Sequence, residues 1–402
     1  MTYGELRVAV VGGGIGGLTL GLALRRHGIT AEVFERTTAL GEVGAAVTLT
    51  ANSVRLLDRL GLRRDLEKAS VEPSEVVYRG WRDDGRIAAY PIGRGDAYRH
   101  RFGAPWLGLH RAALQQVLSG AWGTEHLHLG REAVALVGRA DGVCVEFADG
   151  SHHDADVVVG ADGVHSVVRS WVTEEQPPRY SGTSGFRGIV PISAVPSLPD
   201  PDALQLWMGP GAHLLHYPIH GMINFLAVVD GPTTWPSPTG TAQADPGELA
   251  AHFAGWSPAL LTLLTAVPQS DRWALFTQLP LQTWSQDRAV LIGDAAHAML
   301  PHHGQGANQT IEDAVVLADC LATIRRGQHA TAFHRYELRR RARTRLVQRS
   351  SLDKSALLHL PDGPEATARN TALLDLEKQV AWIHEHDAQQ PSAHGERLPA
   401  PS

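Results

Sequence analysis

The sequence predicts an α/β protein in which a mostly antiparallel β-sheet is inserted into a discontinuous domain built on a parallel sheet, with helices at the C-terminal end. Three observations predict this fold: a glycine-rich turn between a strand and a helix near the start of the chain, two later strands that each end in a tight acidic turn, and short β-rich runs in the middle. At 402 residues, 43% of them hydrophobic, the chain is long enough for two domains.

The first element is a strand, a turn and a helix near the N-terminus. An apolar strand is expected at residues 7–11 and a helix at residues 18–27. The turn between them fits G-x-G-x-x-G and contains Gly12, Gly14, Ile15, Gly16 and Gly17. A second strand at residues 31–34 ends in Glu35, about 20 residues after the turn, where a carboxylate accepts the hydroxyls of a ribose. These elements predict a Rossmann-like dinucleotide site.

A second strand-and-turn unit lies at residues 155–169. Its apolar run at residues 157–159 is typical of a strand covered on both faces of a sheet. Asp162 and Gly163 then form a turn before a short helix. A nicotinamide-binding domain alone does not need this additional unit, so the pattern favours one extended cofactor that contacts several turns.

The third unit, residues 289–314, predicts a cradle for a polar group. Gly293 lets the chain turn sharply after an apolar strand, so that Asp294 projects a carboxylate suited to a sugar or polyol hydroxyl. The glycine-rich loop at residues 304–306 keeps side chains out of the way, and a helix is expected from Ile311 onward. Free N–H groups and the positive end of the helix dipole favour an electron-rich group at this place.

These three units resemble the fingerprints of the FAD-dependent aromatic hydroxylases of the p-hydroxybenzoate hydroxylase type, in the same order and over roughly residues 5–350. The likeness is greatest to single-component members that act on salicylate, 3-hydroxybenzoate or 6-hydroxynicotinate, since residues 106–118 and the late stretch LHLPDGPEATARN also resemble them. The resemblance implies an FAD site. Its expected residues are Gly12, Gly14, Ile15, Gly16, Gly17, Glu35, Arg36, Val47, Arg111, Asp162, Asp294, Pro301, Gly304, Gly306, Ala307 and Asn308.

The resemblance also implies the chemistry of a single-component monooxygenase. NADH or NADPH would bind transiently and reduce the flavin, O2 would add at the flavin C4a atom, and the resulting hydroperoxide would hydroxylate a small phenol or hydroxypyridine. Two alternatives stay open. One is an enzyme of the same fold that epoxidises a larger natural product or inserts oxygen in a Baeyer-Villiger reaction, and the other is a flavin-binding protein without oxygenase activity.

Candidate catalytic residues lie on a strand expected at residues 213–219. His213, Leu215 and Tyr217 share one face because side chains alternate along a strand, and related hydroxylases carry a His and a Tyr spaced in this way. His213 is the first candidate for the base that removes the phenolic proton, with an ordinary imidazole pKa near ~6.5. His302 is the second candidate, because it matches a position that is His in some relatives.

A metal site at His297, His302 and His303 is the alternative for these histidines. No carboxylate or Cys with ligand spacing accompanies them, so no metal is expected. The sequence also shows no clear arginine clamp for a substrate carboxylate on the inferred face. Arg187 and the arginines between residues 82 and 101 are the candidates that could reach it.

The domain boundaries follow from these assignments. The expected units are a discontinuous FAD-binding domain at residues 1–75, 100–178 and 280–350, a substrate sheet at 76–99 and 179–279, a helical segment at 351–388 and a disordered tail at 389–402. The basic stretch at residues 335–349 is expected to be a surface helix whose apolar residues form the packed face. These residues are Leu338, Ala342, Leu346 and Val347.

Composition narrows the possible partners. A net charge of −6 argues against nucleic acid or an anionic membrane as the main partner. The resemblance implies a small aromatic substrate instead, and a monomer or a homodimer is expected. The sequence shows no signal peptide and no apolar run of membrane-spanning length, so a cytoplasmic location is expected. Cys144 and Cys320 are far apart, which makes a redox disulfide beside the flavin an unfavourable interpretation.

Overall fold

The computed structural model describes residues 6–41, 46–174, 178–235, 237, 240–267 and 271–390, so the expected disordered tail lies outside the described residues from residue 391 onward. The strands in chain order are β1 (Val8–Val11), β2 (Ala31–Glu35), β3 (Ala46–Leu49), β4 (Ser70–Val71), β5 (Glu75–Gly80), β6 (Arg86–Pro91), β7 (Leu107–His110), β8 (Leu127–Leu129), β9 (Ala133–Arg139), β10 (Gly142–Phe147), β11 (His152–Ala155), β12 (Val157–Gly160), β13 (Arg179–Pro191), β14 (Leu204–Gly209), β15 (Ala212–Ile219), β16 (Met222–Asp230), β17 (Thr241–Ala242), β18 (Arg272–Thr277), β19 (Ser285–Gln286) and β20 (Ala289–Leu291).

The helices in chain order are α1 (Ile15–Arg26), α2 (Ala51–Arg59), α3 (Arg63–Ala69), α4 (Ala97–Phe102), α5 (Arg111–Trp122), α6 (Val167–Val172), α7 (Glu248–His252), α8 (Pro258–Thr265), α9 (Asp294–His297), α10 (Gly306–Leu321), α11 (His329–Leu358), α12 (Pro364–Ala372) and α13 (Leu376–His384). Short 3-10 turns lie at Ile192–Ala194, Pro301–His303 and Leu373–Asp375. None of the helices in the described ranges combines the length and the apolar character that crossing a membrane requires.

A six-stranded sheet confirms the Rossmann-like prediction. Its strand order is β19-β20-β12-β1-β2-β8, and its pairs are parallel except at the edge strand β19. All residues of β1, β12 and β20 are buried, which explains why these strands are continuous apolar runs in the sequence. Because these strands are parallel neighbours, their carboxyl ends bring the three turns singled out in the sequence to one edge of the sheet.

An eight-stranded sheet forms the inserted part of the fold. Its order is β17-β18-β13-β16-β15-β14-β5-β6, and its pairs are antiparallel apart from β14 and β5. The β-rich runs in the middle of the chain and the strands β5 and β6 all belong to it, as predicted. The expected alternation along β15 is also confirmed, since Leu214 packs into a separate core while His216 accepts a hydrogen bond from Trp207.

Two three-stranded antiparallel sheets complete the described fold. One has the order β11-β10-β9, and the other has the order β3-β7-β4. The second lies against β15, where a Cβ atom added to Gly108 would lie 3.0 Å from the ring of Tyr217. This close packing holds β3, and with it Val47, beside the inserted sheet.

Helix α10 begins at Gly306, earlier than the start at Ile311 that the sequence pattern indicates. Its first turns carry the buried polar residues Asn308 and Gln309, which conceal the usual apolar spacing of a packed helix. The helix packs closely on the turns beside it. A Cβ atom on Gly16 or Gly293 would lie within 2.6 or 2.7 Å of the Thr310 side chain, so glycine is required at both positions.

Helix α11 runs without a break through residue 350, where the sequence suggests a domain boundary. The expected packing of its basic stretch is wrong in part. Leu338 is 69% exposed and Ala342 is exposed as well, whereas Arg340 and Arg343 are buried. The helix therefore packs through arginine side chains, although Val347 is buried as expected.

The physical reason is a buried ionic cluster between α10 and α11. Arg340 pairs with Glu312 and with Asp313 (2.7 Å), and Arg343 pairs with Glu312 (2.7 Å). Burial alone would raise the pKa of Glu312, but Arg343 and Arg340 outweigh it and hold that pKa well below its ordinary value. Asp313 also accepts from the backbone N–H of Gly293 at 2.9 Å, which ties the cluster to the turn after β20.

Candidate active site

A cavity of about 320 Å³, the larger cavity, lies between the carboxyl edge of the parallel sheet and the inserted sheet. Of the residues expected to hold a cofactor, its lining includes Gly14, Ile15, Gly16, Val47, Arg111, Asp294, Pro301, Gly304, Gly306 and Ala307. Segments that are distant in the sequence therefore meet at one site. The remaining expected residues, Gly12, Gly17, Glu35, Arg36, Asp162 and Asn308, do not belong to this lining.

Glycine is required at the N-terminal turn by close approach of the backbone. A Cβ atom on Gly12, whose φ is +109°, would lie 2.3 Å from the carbonyl oxygen of Ala161. A Cβ atom on Gly17 would lie 1.9 Å from the carbonyl oxygen of Gly12. Gly14 has open space at its Cβ position, so the turn leaves room on the cavity side. These glycines shape the loop without placing side chains in the cavity.

Acidic residues at the three turns have different surroundings. Glu35 accepts hydrogen bonds from the backbone N–H of Gly13 (2.8 Å) and of Thr37 (2.9 Å), so it fixes the first loop. Asp162 accepts from the backbone N–H of Val167 at 2.7 Å, so its carboxylate caps the start of α6. Arg36, next to Glu35, is exposed. A cofactor contact by these three predicted residues stays a prediction.

Asp294 differs from the other two acids because its side chain is available. It is the first residue of α9, follows the sharp turn at Gly293 (φ +61°), and is exposed toward the larger cavity. Its carboxylate receives no hydrogen bond from any residue within the described ranges. This placement fits an acceptor for hydroxyl groups of a bound ligand.

The N-terminus of α10 forms the floor of the larger cavity beside Pro301 and Gly304. The first N–H groups of a helix have no partner inside the helix, so those of Gly306 and Ala307 are available to a ligand. Asn308 instead supports the loop, because its side chain donates to the carbonyl oxygens of Thr48 (3.0 Å) and Gly304 (2.7 Å). It holds the glycine loop against β3.

A second, smaller cavity of about 70 Å³ adjoins the first, and we call it the histidine cavity. The two cavities share Thr48, Leu215, Leu226, Pro301 and Gly304. The histidine cavity is otherwise lined by Val76, Tyr78, Tyr90, Trp106, Leu204, Leu206, His213, His302, His303, Lys354, Leu376, Val380, Ile383 and His384. Apolar and aromatic walls with a few polar tips are typical of a site for a small molecule.

Two of the three predicted catalytic residues meet in this cavity. The rings of His213 and His302 lie edge to face with their centres 5.0 Å apart. Both are buried, and neither ring nitrogen of His302 has a hydrogen-bond partner in the described part of the chain. Tyr217 lines the larger cavity, where burial raises the pKa of its hydroxyl well above its ordinary value.

The ordinary imidazole pKa expected from the sequence is wrong for these histidines. Burial lowers the pKa of His302 to about 3, with further contributions from His359 and Lys354. Burial also lowers the pKa of His213 well below its ordinary value, helped by His302, His359 and Lys354. Both rings are therefore neutral near pH 7, so each has one nitrogen that can accept a hydrogen bond from a bound ligand.

Lys354 is a cavity residue that no sequence motif singles out. Its Nζ donates to the hydroxyl of Tyr78 at 3.0 Å, and no carboxylate of the described residues pairs with it. The arginines between residues 82 and 101 instead pair with acidic residues that line neither cavity. These pairs are Arg82 with Asp362, Arg86 with Glu75 and Asp200, Arg94 with Glu75 and Asp202, Arg99 with Glu72, and Arg101 with Glu377 and Glu385. Of the proposed clamps, Arg187 lines the larger cavity.

The three histidines considered as metal ligands have separate surroundings. His297 pairs with Asp313 at 2.5 Å, His303 with the hydroxyl of Ser350 at 2.9 Å, and His302 faces His213. Among the described residues no group of His, Cys, Asp or Glu has an arrangement that could hold a metal ion.

Comparison with known proteins agrees with this geometry. A family model described as an FAD binding domain matches residues 5–351. A 3-amino-4-hydroxybenzoate 2-monooxygenase from Streptomyces platensis is 39% identical over 386 residues, which cover 95% of this chain and 96% of the relative. The chain belongs to the FAD-dependent aromatic hydroxylases.

Solved structures of this hydroxylase family have the same fold. A salicylate hydroxylase in a substrate complex has a TM-score of 0.82 and 30% identity, and covers 96% of each chain. HpxO of Klebsiella pneumoniae in complex with FAD and uric acid has a TM-score of 0.84 and 28% identity, and covers 95% of this chain and 97% of its own. The hydroxylase described here is thus an FAD-dependent monooxygenase.

The residues of the larger cavity fit FAD on independent grounds. Gly14 and Gly306 leave open space where a Cβ atom would be, so the backbone can approach a ligand closely at both positions in the cavity wall. Asp294 supplies an acceptor for hydroxyls, and the start of α10 supplies donors for an electron-rich edge. The elongated cofactor needs these separate contacts along one cavity.

Proposed function

We propose that this hydroxylase uses NADH or NADPH to hydroxylate a small phenolic or hydroxypyridine-type aromatic that carries a carboxylate. The observation that carries the proposal is the pair of buried, neutral imidazoles of His213 and His302 beside the larger cavity. A buried polar group without a hydrogen bond costs about 1–3 kcal/mol, and His302 has two such nitrogens among the described residues. A hydroxylated aromatic ring would provide the missing partner.

The chemistry of the proposal is divided between the cofactor and the chain. Bound FAD would supply the activated oxygen, with NADH or NADPH as the reductant. Asp294 would accept hydrogen bonds from hydroxyls of the ribityl chain, and the start of α10 would stabilise negative charge at the pyrimidine edge. The apolar side chains of Leu215 and Leu226 keep water away from the reacting ring. His213 removes the phenolic proton, which makes the ring more nucleophilic.

The size of the histidine cavity favours a small substrate. Its volume of about 70 Å³ and its walls of Tyr78, Tyr90 and Trp106 suit a single flat ring. A larger natural product would need more space than the described residues enclose there. This observation supports the small aromatic over the epoxidation or Baeyer-Villiger alternative.

Lys354 supports a carboxylate on the substrate. The half-buried ammonium of Lys354 lies on the wall of a mostly apolar cavity and has no paired carboxylate among the described residues, so it offers a positive charge to an anionic group of a ligand. The relative from Streptomyces platensis is named for a hydroxybenzoate, which is an aromatic of this class. We therefore place the carboxylate of the substrate at Lys354 and its hydroxyl at His213.

The proposal is tested by product analysis with the purified, yellow holoenzyme. A panel of hydroxybenzoates and hydroxynicotinates, each with a matched phenol or hydroxypyridine that lacks the carboxylate, is incubated with NADH or NADPH and O2. We expect accelerated NAD(P)H oxidation and a hydroxylated product in near-stoichiometric yield for at least one carboxylated member. If no member of the panel yields a hydroxylated product, the proposed function is wrong.

The role of Lys354 has its own variant. A hydrogen bond to a charged group contributes about 1.5–3 kcal/mol, so Lys354→Met should raise KM for the carboxylated substrate about 10- to 100-fold and change KM for the matched phenol much less. Lys378→Met, at an exposed position on α13, is the control and should leave both values unchanged. Equal changes in KM for both substrates would contradict a carboxylate contact.

A further inference from the structure

Three side chains form a continuous hydrogen-bonded chain that leads out of the histidine cavity. The Nδ1 atom of His213 lies 2.8 Å from Nε2 of His359, and Nδ1 of His359 lies 2.6 Å from a carboxylate oxygen of Asp230. We propose that His359 and Asp230 are positioning residues that conduct the substrate proton from His213 to solvent. This inference rests on the proposed function, because it requires a phenolic substrate at His213.

Solvent exposure increases from the inner to the outer residue of this hydrogen-bonded chain. His213 is 2% exposed and His359 is 9% exposed, whereas the side chain of Asp230 is 63% exposed. The inner end therefore reaches the substrate cavity, and the outer end is in contact with water. His359 therefore connects a buried imidazole to an exposed carboxylate.

The identity of each donor follows from the acid at the outer end. An ionised carboxylate can only accept, so Nδ1 of His359 donates to Asp230. In a neutral His359 the other nitrogen, Nε2, then accepts, and Nδ1 of His213 must donate to it. This arrangement leaves Nε2 of a neutral His213 with a lone pair. The base is thereby held in the tautomer that can take the proton of a bound phenol.

Backbone hydrogen bonds fix the joint between the three elements that carry these residues. The N–H of Gly211 donates to the carbonyl oxygen of His359 at 3.0 Å, and the N–H of Asp230 donates to the carbonyl oxygen of Gly211 at 2.9 Å. The end of α11, the turn before β15 and the end of β16 are thus held together. These backbone contacts hold His359 and Asp230 in position relative to β15.

His213 needs an exit for the proton because its surroundings disfavour a positive charge. The groups that face it are His302, His359 and Lys354, and both burial and these groups lower its pKa. The phenolic proton moves to Nε2 of His213 while the Nδ1 proton moves to Nε2 of His359. The Nδ1 proton of His359 then moves to Asp230 and on to water, leaving a bound phenolate. Protonation of the product by the reverse path restores the original tautomers.

The test follows proton release on ligand binding, which requires no turnover. Oxidised holoenzyme is mixed in weakly buffered solution with 3-amino-4-hydroxybenzoate, and a pH indicator and the phenolate absorbance are recorded. We expect His359→Phe to slow proton release at least about tenfold, in the range of general-base effects, with little change in the dissociation constant and with rescue by added imidazole. His334→Phe, at an exposed position on α11, should release the proton at the wild-type rate.

Asp230→Asn provides a second variant at an exposed position, where folding is not at risk. It keeps an oxygen that accepts from His359 but cannot take up the proton, so release should slow and recover with added buffer. Proton release at the wild-type rate in His359→Phe or in Asp230→Asn would overturn the relay and leave the proposed function intact. If the wild-type enzyme neither binds nor hydroxylates any phenol of the panel, the proposed function fails and the relay fails with it.

Discussion

The two adjoining cavities of this hydroxylase are built in different ways. The larger cavity is formed mainly by glycine turns, strand ends and the start of α10, so its shape depends on the backbone. The histidine cavity is formed by long side chains from β5, β6, β14, β15, α11 and α13. Backbone positions therefore determine the shape of the larger cavity. Contacts between side chains from several elements determine the shape of the histidine cavity.

This difference matches what each region has to bind. A cofactor that is the same in every turnover can be held by fixed backbone N–H groups and one carboxylate, which require little adjustment. A substrate ring needs polar tips at exact positions in an apolar slot, and side chains supply them. The pair His213 and His302 is such a set of tips, and its neutral state depends on burial.

The largest expected effect comes from breaking the ionic support of the larger cavity. Removing one partner of a buried ion pair costs about 3–5 kcal/mol, so Arg340→Met should lower the free energy of unfolding by that amount. Denaturant titration of the holoenzyme measures it. Arg341→Met is the matched control, because its partly exposed pair with Glu337 is worth at most about 1 kcal/mol. Equal losses in the two variants would contradict a special role for the cluster.

The next effect separates the two faces of β15. Loss of a general base reduces turnover about 10²- to 10⁴-fold, so His213→Gln should lower kcat by a factor of this size. Reduction of the flavin by NAD(P)H should be retained. His216→Gln changes an equally buried histidine on the opposite face and should keep kcat near the wild-type value. Wild-type turnover with an unchanged pH profile in His213→Gln would mean that another group is the base.

A smaller effect is expected from the available carboxylate of the larger cavity. Asp294→Ala removes a charged acceptor and should weaken FAD retention about tenfold or more, since hydrogen bonds to charged groups contribute about 1.5–3 kcal/mol. Equilibrium dialysis followed by flavin absorbance gives the dissociation constant. Asp294→Asn keeps an acceptor oxygen, so its dissociation constant for FAD should lie between those of the wild type and Asp294→Ala. A fully yellow Asp294→Ala protein after dialysis would count against the contact.

The smallest effect concerns pH. A base must be neutral to act, and a histidine with a lowered pKa stays neutral as the pH falls until that lower pKa is reached. Because the pKa of His302 is about 3 and that of His213 is also lowered, protonation of these two rings should change kcat/KM less than about twofold between pH 8 and 5. An acid limb near pH 6.5 that disappears in His213→Gln would show that burial does not control this base.

Much of the larger cavity can be predicted from the sequence, because short local patterns encode its turns. The turns at Gly12, Asp162 and Gly293 each follow a short apolar strand, and parallel strands carry their following turns to one edge. The position of His213 and Tyr217 also follows from alternation along one strand. The start of α10 is missed because buried polar residues near Asn308 interrupt the apolar pattern.

The contacts of the histidine cavity could not be predicted in the same way. Lys354 lies on a basic helix whose sequence indicates a surface, and its distance from Tyr78 depends on how α11 crosses the inserted sheet. The contact between His359 and His213 likewise depends on tertiary packing, because the turn at Gly211 holds the end of α11 beside β15. These contacts join residues that are far apart in sequence, and no hydrophobic periodicity or short motif predicts them.

The division between the two cavities is tested most directly by the structure of the holoenzyme with a substrate identified in the panel. We expect FAD in the larger cavity with its ribityl hydroxyls at Asp294, and the aromatic ring in the histidine cavity. The hydroxyl of the ring should lie within hydrogen-bond distance of His213 or His302, and its carboxylate at Lys354. An aromatic ring bound outside the histidine cavity, or a flavin ring that fills it, would contradict this division.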